Sequence, residues 1–383
     1  MPNHHGFATR TVHAGEAPDP STGAHGVPLY QNVTYAFRSY EQLESMRAGG
    51  APHFVYQPRG NPTVRCLELK LANLEGAETA IATSSGMSAI SATLISLLAG
   101  GGHVVASTDL FDETRNFLLD DLAQAGGSVT WANATDLNAV AAAIAPETRA
   151  IYIEAISNPC LSVADLTAIS GIAREHGVLL LVDNTFLSPA LLRPIEHGAD
   201  IVLHSATKYL SGHGMVQGGI ISGSRELLDP IRAKVSRLGG TQSPFGAWTL
   251  LSGIKTLPLR MARQSANAAS LARLLAGHPA VASVNYPGLP DHPGHEIATR
   301  MVGSGGDRFG GMISFSLRGG TGHVGEFINA LQLCTLAVSL GDCSTLIWPF
   351  AETDLIRLSV GIEDPADLAA DIRTALDGLS DRQ

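Results

Sequence analysis

The sequence has few cysteines, few charged residues and no long apolar run. Its 4 cysteines form no CxxC pair and no His-Cys spacing typical of zinc ligands, so we expect free thiols and no metal site. Charged residues make up 16% of the chain, the formal net charge is −10, and Lys and Arg form no cluster suited to nucleic acid. Without a membrane-spanning run or a secretory signal, the sequence predicts a cytoplasmic protein that has neither nucleic acid nor a membrane as partner.

Apolar runs alternate with helical patterns between residues 79 and 240. This alternation predicts an α/β fold in which helices cover a mostly parallel sheet. The chain has 383 residues, 45% of them hydrophobic, so it can bury a large core and form more than one domain. The strands are predicted near residues 79–83, 103–107, 128–133, 149–156, 178–184, 200–206 and 218–223.

The two ends of the chain have a different character. Residues 1–55 are rich in Gly, Pro and His and have no sustained periodicity, which predicts an arm that becomes ordered by docking elsewhere. Beyond Pro258, helical stretches separate short apolar runs, and this pattern predicts a smaller α+β domain. We therefore expect a large domain over residues 56–255 and a small C-terminal domain over 256–383. The strands of the small domain are predicted at 281–288, 312–317 and 357–361.

Lys208 follows one of the predicted strands, in the segment HSATKYLSGHG at 204–214. The carboxyl ends of strands are where open α/β sheets bind ligands. A lysine partly withdrawn from water has its charged form disfavoured, so its amine becomes available for Schiff-base formation with a carbonyl compound or with pyridoxal phosphate. Taken alone, the motif also fits a lysine that extends from a sheet edge into solvent.

Two other junctions carry matching chemistry. Asp183 ends the apolar run VLLLVDNTF, where a carboxylate can pair with the protonated ring nitrogen of pyridoxal phosphate. Ser84, Ser85 and Gly86 precede a long apolar-periodic stretch, and such a helix start can bind a phosphate through free N–H groups and the helix dipole. Each feature alone is also consistent with an ordinary helix cap. Together, a phosphate site, an aspartate and a lysine in this order indicate a pyridoxal phosphate site much more specifically than any one of them does.

With these features, the sequence resembles the Cys/Met-metabolism family of pyridoxal-phosphate-dependent enzymes, which includes cystathionine γ-synthases, methionine γ-lyases and O-acylhomoserine sulfhydrylases. The resemblance covers nearly the whole chain. It implies fold type I, pyridoxal 5'-phosphate as cofactor and a homotetramer built from dimers that share active sites, with the arm at 1–55 making contacts between subunits. The matching segments are 9–37, 56–78, 156–166, 243–261 and 357–368.

The resemblance also implies roles for individual residues. Arg357 would hold the substrate α-carboxylate with its planar guanidinium, and Asn158 would lie near the cofactor hydroxyl. Tyr56 and Arg59 would reach the cofactor phosphate of a neighbouring subunit. The expected catalytic residues are Lys208, Tyr56 and Phe111. The expected cofactor-binding residues are Ser85, Gly86, Met87, Phe111, Asn158, Asp183, Thr185, Ser205, Thr207, Lys208, Tyr56 and Arg59. The expected substrate-binding residues are Arg357, Ser339 and Asn158.

The implied reaction takes place at the γ carbon of an amino-acid substrate. Loss of the γ substituent gives a vinylglycine-type quinonoid intermediate. That intermediate either accepts a nucleophilic co-substrate, in γ-replacement, or is hydrolysed to a 2-oxo acid and ammonia, in γ-elimination. The motifs do not separate these outcomes, and γ-replacement is the leading hypothesis. A homologue that binds the cofactor without turnover is a further alternative, which the retention of Lys208, Asp183, Arg357 and Tyr56 argues against.

Two departures from the family pattern concern the substrate. Phe111, Asp112 and Glu113 stand where the family has Tyr-Gly-Gly, and a phenylalanine cannot protonate a leaving group. The connection from Asp342 to Arg357 is short, which predicts a wide entrance. A sulfonium leaves without a proton, so S-adenosylmethionine in a specialised biosynthesis is one predicted substrate. Ordinary homoserine esters, cystathionine or methionine are the alternative, because a helix cap and a tolerated loop deletion would explain both departures.

Overall fold

The computed structural model describes residues 5–50, 53–57, 60–98, 100–303, 306–350 and 354–380. Its helices are α1 (Phe7–His13), α2 (Tyr40–Arg47), α3 (Pro62–Glu75), α4 (Gly86–Leu98), α5 (Asp112–Asn116), α6 (Leu122–Gln124), α7 (Leu137–Ala142), α8 (Leu166–His176), α9 (Ser188–Leu191), α10 (Arg225–Arg237), α11 (Pro244–Ile254), α12 (Leu257–Ala276), α13 (His295–Val302), α14 (Thr321–Ala330) and α15 (Pro365–Ser380), with a π-helical turn at Phe117–Asp121 and a 3-10 turn at Pro194–His197. Its strands are β1 (Thr79–Thr83), β2 (His103–Ser107), β3 (Ser128–Ala132), β4 (Thr148–Glu154), β5 (Leu179–Asp183), β6 (Ile201–Ser205), β7 (Gly219–Gly223), β8 (Val281–Asn285), β9 (Met312–Leu317), β10 (Thr335–Leu336), β11 (Leu346–Phe350) and β12 (Leu355–Ser359).

The larger sheet has seven strands in the order β1-β7-β6-β5-β4-β2-β3. Strand β7 is antiparallel to both of its neighbours, and the other adjacent pairs are parallel. All seven strands lie within two residues of the predicted positions, so the prediction of a mostly parallel α/β sheet is confirmed. Every position of β1, β2 and β7 is buried, because helices cover both faces of the sheet.

Alternate residues of the sheet strands pack into two separate hydrophobic cores. Ile151 and Ile153 of β4 join the core on the side of α3 and α8, whereas Ala150 and Tyr152 join the core on the side of α4 and α10. This division follows from the two-residue repeat of a strand. Both cores leave the carboxyl ends of the parallel strands free to form a site.

Helix α3 shows how local sequence sets the boundaries of an element. The side chain of Asn61 accepts the backbone N–H groups of Thr63 and Val64, and Pro62 occupies the first helical position. Gly76 ends the helix in the left-handed conformation, with φ of 75°, which costs glycine little. The helix therefore runs its full length against the sheet and buries its last residue, Glu75.

The smaller sheet has five strands in the order β10-β11-β12-β9-β8 and packs with α12, α14 and α15 around a third core. The strands predicted near 281–288, 312–317 and 357–361 are present. Strands β10 and β11 were not predicted. The β10 strand has only two residues, and β11 contains Pro349, a residue type that argues against a strand because it has no N–H for the ladder.

Part of the N-terminal segment packs on its own chain. Helix α1 contacts α3 and α12. The fully buried Lys70 of α3 donates to the carbonyls of Thr11 at 2.6 Å and Val12 at 3.2 Å, and its Nζ lies 3.0 Å from a carboxylate oxygen of Glu16. Contacts of residues 1–55 with another subunit remain a prediction. Within the described part of the chain, no helix has the length and apolarity needed to cross a membrane.

Candidate active site

A cavity of about 300 Å³ lies at the carboxyl ends of the parallel strands, next to the smaller sheet. It brings together most of the residues that the sequence singles out. The predicted residues that line it are Ser85, Gly86, Met87, Phe111, Asn158, Asp183, Thr185, Ser205, Thr207, Lys208, Ser339 and Arg357. A larger depression of about 730 Å³ lies beside β1 and α10, and its described lining contains none of these residues.

Lys208 lies in the turn that follows β6, with its side chain directed into the cavity. Its Nζ donates to the hydroxyl of Ser339 at 2.9 Å. Burial, followed by the nearby charge of Arg357, lowers the pKa of Lys208 to about 8. Far more of this amine than of an exposed lysine is therefore unprotonated near neutral pH, and the neutral amine can act as a nucleophile or base.

Arg357 comes from β12 of the smaller sheet and is buried. Its Nη1 donates to the side-chain oxygen of Asn158 at 2.8 Å, and its Nη2 donates to the carbonyl of Ser339 at 3.2 Å. Ser339 has a φ of 100°, a strained conformation for a residue with a side chain. The guanidinium is thus held in a fixed orientation at the cavity, as recognition of a carboxylate requires.

Asp183 ends β5 and lines the cavity with its carboxylate. Burial raises its pKa, while hydrogen bonds from Thr185 and the nearby His204 oppose the rise. The N–H of Thr185 donates to Asp183 at 2.9 Å, and the Thr185 hydroxyl accepts from the N–H of Ser205 at 2.8 Å. Among the described residues, no cationic side chain forms an ion pair with Asp183. A protonated ring nitrogen of pyridoxal phosphate would supply the missing positive charge.

The start of α4 forms another wall of the cavity. A Cβ atom at Gly86 would lie only 2.9 Å from the Cβ of Ser205, so glycine allows the helix to approach the end of β6. The side chain of Ser85 accepts the N–H of Ser88 at 3.0 Å. The first N–H groups of a helix have no acceptor within it, which suits a phosphate. An anion site, a carboxylate and a partly neutral lysine in one cavity fit pyridoxal phosphate.

Phe111 immediately precedes α5 and leaves 42% of its surface exposed at the cavity. Asp112 and Glu113 occupy the first turn of α5, where negative charge is favourable to the helix dipole, and neither lines the cavity. Their position agrees with the alternative that Asp112 and Glu113 stabilise the start of the helix.

Tyr56 does not line the cavity of its own chain. It forms a β-bridge with Thr34 and leaves 47% of its surface exposed. Arg59 lies outside the described residues. A contact of either side chain with the cofactor of a neighbouring subunit therefore remains a prediction.

The sequence reasoning missed Glu154, which ends β4 and also lines the cavity. A signal was present, because Glu154 closes a buried strand in the same way as Asp183. The four cysteines are free thiols, as expected. Across the described chain, His, Cys, Asp and Glu form no group of three that could hold a metal ion.

Comparison with known proteins gives one consistent result. The family model described as "Cys/Met metabolism PLP-dependent enzyme" matches residues 8–377. The chain is 42% identical to an L-methionine gamma-lyase of Pseudomonas putida and 43% identical to a cystathionine gamma-synthase of Mycobacterium tuberculosis, with 97% of each chain covered in both cases. It is 39% identical to an O-succinylhomoserine sulfhydrylase of Pseudomonas aeruginosa over 97% of this chain and 96% of the relative. The crystal structure of metB from Corynebacterium glutamicum matches with a TM-score of 0.92 and 36% identity, over 99% of this chain and 100% of the other.

Proposed function

The chain belongs to the Cys/Met metabolism PLP-dependent enzyme family, and we propose on this premise that it replaces or eliminates the γ substituent of an amino acid. Its cofactor is pyridoxal 5'-phosphate. The proposed substrates are those of ordinary sulfur metabolism, namely homoserine esters, cystathionine and methionine. Relatives named as γ-synthase and γ-lyase are about equally similar to this chain, so both outcomes are retained.

The observation that supports this proposal most strongly is the shared contact of Lys208 and Arg357 with Ser339. The Ser339 hydroxyl accepts from Lys208 at 2.9 Å, and the Ser339 carbonyl accepts from Arg357 at 3.2 Å. A substrate whose α-carboxylate binds Arg357 would therefore present its Cα close to the amine of Lys208. Such an arrangement suits proton removal from an α-amino acid.

Bound pyridoxal phosphate supplies an electron sink for the electron pair that remains when a proton leaves the substrate. In this proposal, Lys208 removes the proton from Cα and then one from Cβ, because its pKa of about 8 makes the amine a base near neutral pH. Asp183 would hold the ring nitrogen, the N–H groups at the start of α4 would hold the phosphate, and Phe111 would pack against the ring.

The hypothesis of S-adenosylmethionine as substrate has no support among the relatives, which are named for methionine, cystathionine and O-succinylhomoserine chemistry. The charges of Asp112 and Glu113 would favour a cationic substrate only if they faced it, and neither residue lines the cavity. Ordinary substrates therefore become the leading proposal.

We also propose that the active unit is at least a dimer, within a homotetramer. The motivation is that Tyr56 does not line the cavity of its own chain, whereas the resemblance assigns Tyr56 and Arg59 to the phosphate of a neighbour. Arg59→Ala should then weaken cofactor binding, and sedimentation analysis should find no active monomer. A fully active monomer would contradict this part of the proposal.

In γ-replacement, the second substrate of the enzyme would be a small nucleophile such as a thiol.

The test of function is a substrate panel with the cofactor-loaded enzyme. O-acetylhomoserine, O-succinylhomoserine, cystathionine, methionine and S-adenosylmethionine are each incubated with and without cysteine or sulfide, and products are identified by mass spectrometry. We expect turnover of an ordinary substrate, and loss of both turnover and the visible cofactor band in Lys208→Ala. Turnover of S-adenosylmethionine alone, or an unchanged band in Lys208→Ala, would refute the proposal.

A further inference from the structure

Glu154 has a position in the cavity that the proposed reaction does not use. It is the last residue of β4 and pairs in register with Asp183, the last residue of β5. One carboxylate oxygen accepts the backbone N–H of Phe111 at 2.8 Å, and the other accepts the backbone N–H of Asn158 at 3.1 Å. Within the described chain, Glu154 forms no ion pair. A single side chain thus joins the segment that follows β2 to the segment that follows β4.

We propose that Glu154 is a positioning residue that fixes Phe111 and Asn158 relative to each other across the cavity. This inference rests on the proposed function, which assigns Phe111 to the cofactor ring and Asn158 to the cofactor and substrate. The effect extends one step further, because Asn158 accepts a hydrogen bond from Arg357 at 2.8 Å. Glu154 therefore influences both the face of the ring and the orientation of the guanidinium.

The groups around Glu154 act on its pKa in opposite directions. Two carboxyl groups side by side in a buried site do not both ionise readily. Burial, followed by Asp183, raises the pKa of Glu154 well above its usual range, whereas the backbone N–H groups of Phe111 and Asn158 oppose the rise. Burial raises the pKa of Asp183 too, and hydrogen bonds from Thr185 together with the nearby His204 oppose that rise. The two backbone hydrogen bonds therefore fix the orientation of the Glu154 carboxyl group next to Asp183.

These two hydrogen bonds make Glu154→Gln an informative substitution. Glutamine has nearly the size of glutamic acid, but its NH₂ group donates and cannot accept. The variant therefore keeps one backbone hydrogen bond and loses the other, whereas Glu154→Ala loses both. Asp109→Asn is a matched control, because Asp109 is a nearby carboxylate that accepts from the hydroxyl of Ser162 at 3.1 Å and does not line the cavity.

The primary measurement is circular dichroism in the visible band of the bound cofactor, normalised to cofactor content, because this signal reports the asymmetric placement of the ring. Values of kcat and KM are measured with the best substrate of the panel. We expect Glu154→Gln to reduce the normalised signal and to lower kcat about 10-fold, as loss of one buried hydrogen bond implies. Glu154→Ala should lower kcat about 100-fold, as expected for misplaced reacting groups, and should raise KM. Asp109→Asn should stay within about twofold of the wild type in both measurements.

A purely structural role gives a different result. If Glu154→Gln lowers the unfolding temperature but keeps the wild-type dichroism and kcat, the positioning role is wrong. The same conclusion follows if Asp109→Asn reduces the signal as much as Glu154→Gln does. Should Glu154→Ala fail to fold, Glu154→Gln alone decides. The dichroism needs bound cofactor but no turnover, so failure of the substrate panel would refute the proposed function without affecting this test.

Discussion

Phe111 offers a gain-of-function experiment, because the resemblance places a ring-stacking tyrosine that protonates the leaving group at this position. We expect Phe111→Tyr to increase thiol release from methionine and cystathionine and to leave reaction of O-acetylhomoserine nearly unchanged. A thiolate is a poor leaving group that benefits from an acid, whereas a carboxylate leaves without one. The experiment therefore compares two substrates on one enzyme.

The structure indicates that the added hydroxyl can be accommodated. Phe111 lines the cavity and is 42% exposed, so a hydroxyl group on its ring would meet open space and water instead of a packed core. The substitution should thus have little effect on folding. General acid catalysis contributes about 10²-fold to 10⁴-fold when the donor is well placed. We expect the lower end of this range, a rise of about 100-fold in kcat/KM for the thioether substrates.

The assay follows 2-oxo acid release for each substrate and reports the ratio of the two kcat/KM values. Phe245→Tyr is a suitable control, because it makes the same chemical change on α11 at a residue that does not line the cavity. If Phe111→Tyr leaves the ratio of the two kcat/KM values unchanged, or raises the value for the ester equally, then Phe111 does not limit protonation of the leaving group.

Three further outcomes follow from the contacts described above. The rate at which the cofactor-free protein takes up pyridoxal phosphate, followed by the visible band, should rise with pH up to about 8, because Lys208 reacts as its neutral amine and its pKa is lowered to about 8; a rise that continues to pH 10 would contradict this. Lys70→Met should destabilise the protein by about 3 to 5 kcal/mol in denaturant unfolding, since it leaves a buried carboxylate with one cation fewer, and the more exposed Lys255→Met should cost less. Gly86→Ala should weaken cofactor binding about 10-fold in a fluorescence titration, because its Cβ would lie 2.9 Å from the end of β6. Gly171→Ala in α8, where a Cβ has no neighbour within 4 Å, should not weaken binding.

Most of the larger sheet could be predicted from the sequence because its strands are covered by helices. Such strands are apolar throughout, and polar residues mark their ends, as at Asp183 and in the turn before Lys208. The same reasoning identified Asp183, Lys208 and the start of α4, whereas Asn158 and Arg357 were expected from the family resemblance. It failed for β11, since Pro349 in a short apolar run argues against a strand, and only the antiparallel partner β12 makes the strand evident.

The remaining gaps concern interactions between distant parts of the chain. Glu154 closes a buried strand, which is a local signal, but its position opposite Asp183 follows only from the register of β4 and β5. Its hydrogen bond to Phe111 joins residues 43 positions apart, and no local pattern signals such a contact. The role predicted for Tyr56 involves a second subunit, and it stays a prediction.

The origin of Arg357 in the smaller sheet has a consequence for how this enzyme could be altered. Ser339 and Arg357 belong to the C-terminal part of the chain, whereas Lys208, Asp183 and the start of α4 belong to the larger sheet. Two of the three residues proposed to bind the substrate, Ser339 and Arg357, are therefore encoded separately from most of those proposed to hold the cofactor, whereas the third, Asn158, follows β4. A chimera that exchanges the smaller sheet with that of a relative should keep the visible band of the bound cofactor, while its substrate preference changes. Recombination between relatives could therefore change the substrate preference, provided that the contacts between the two sheets stay intact.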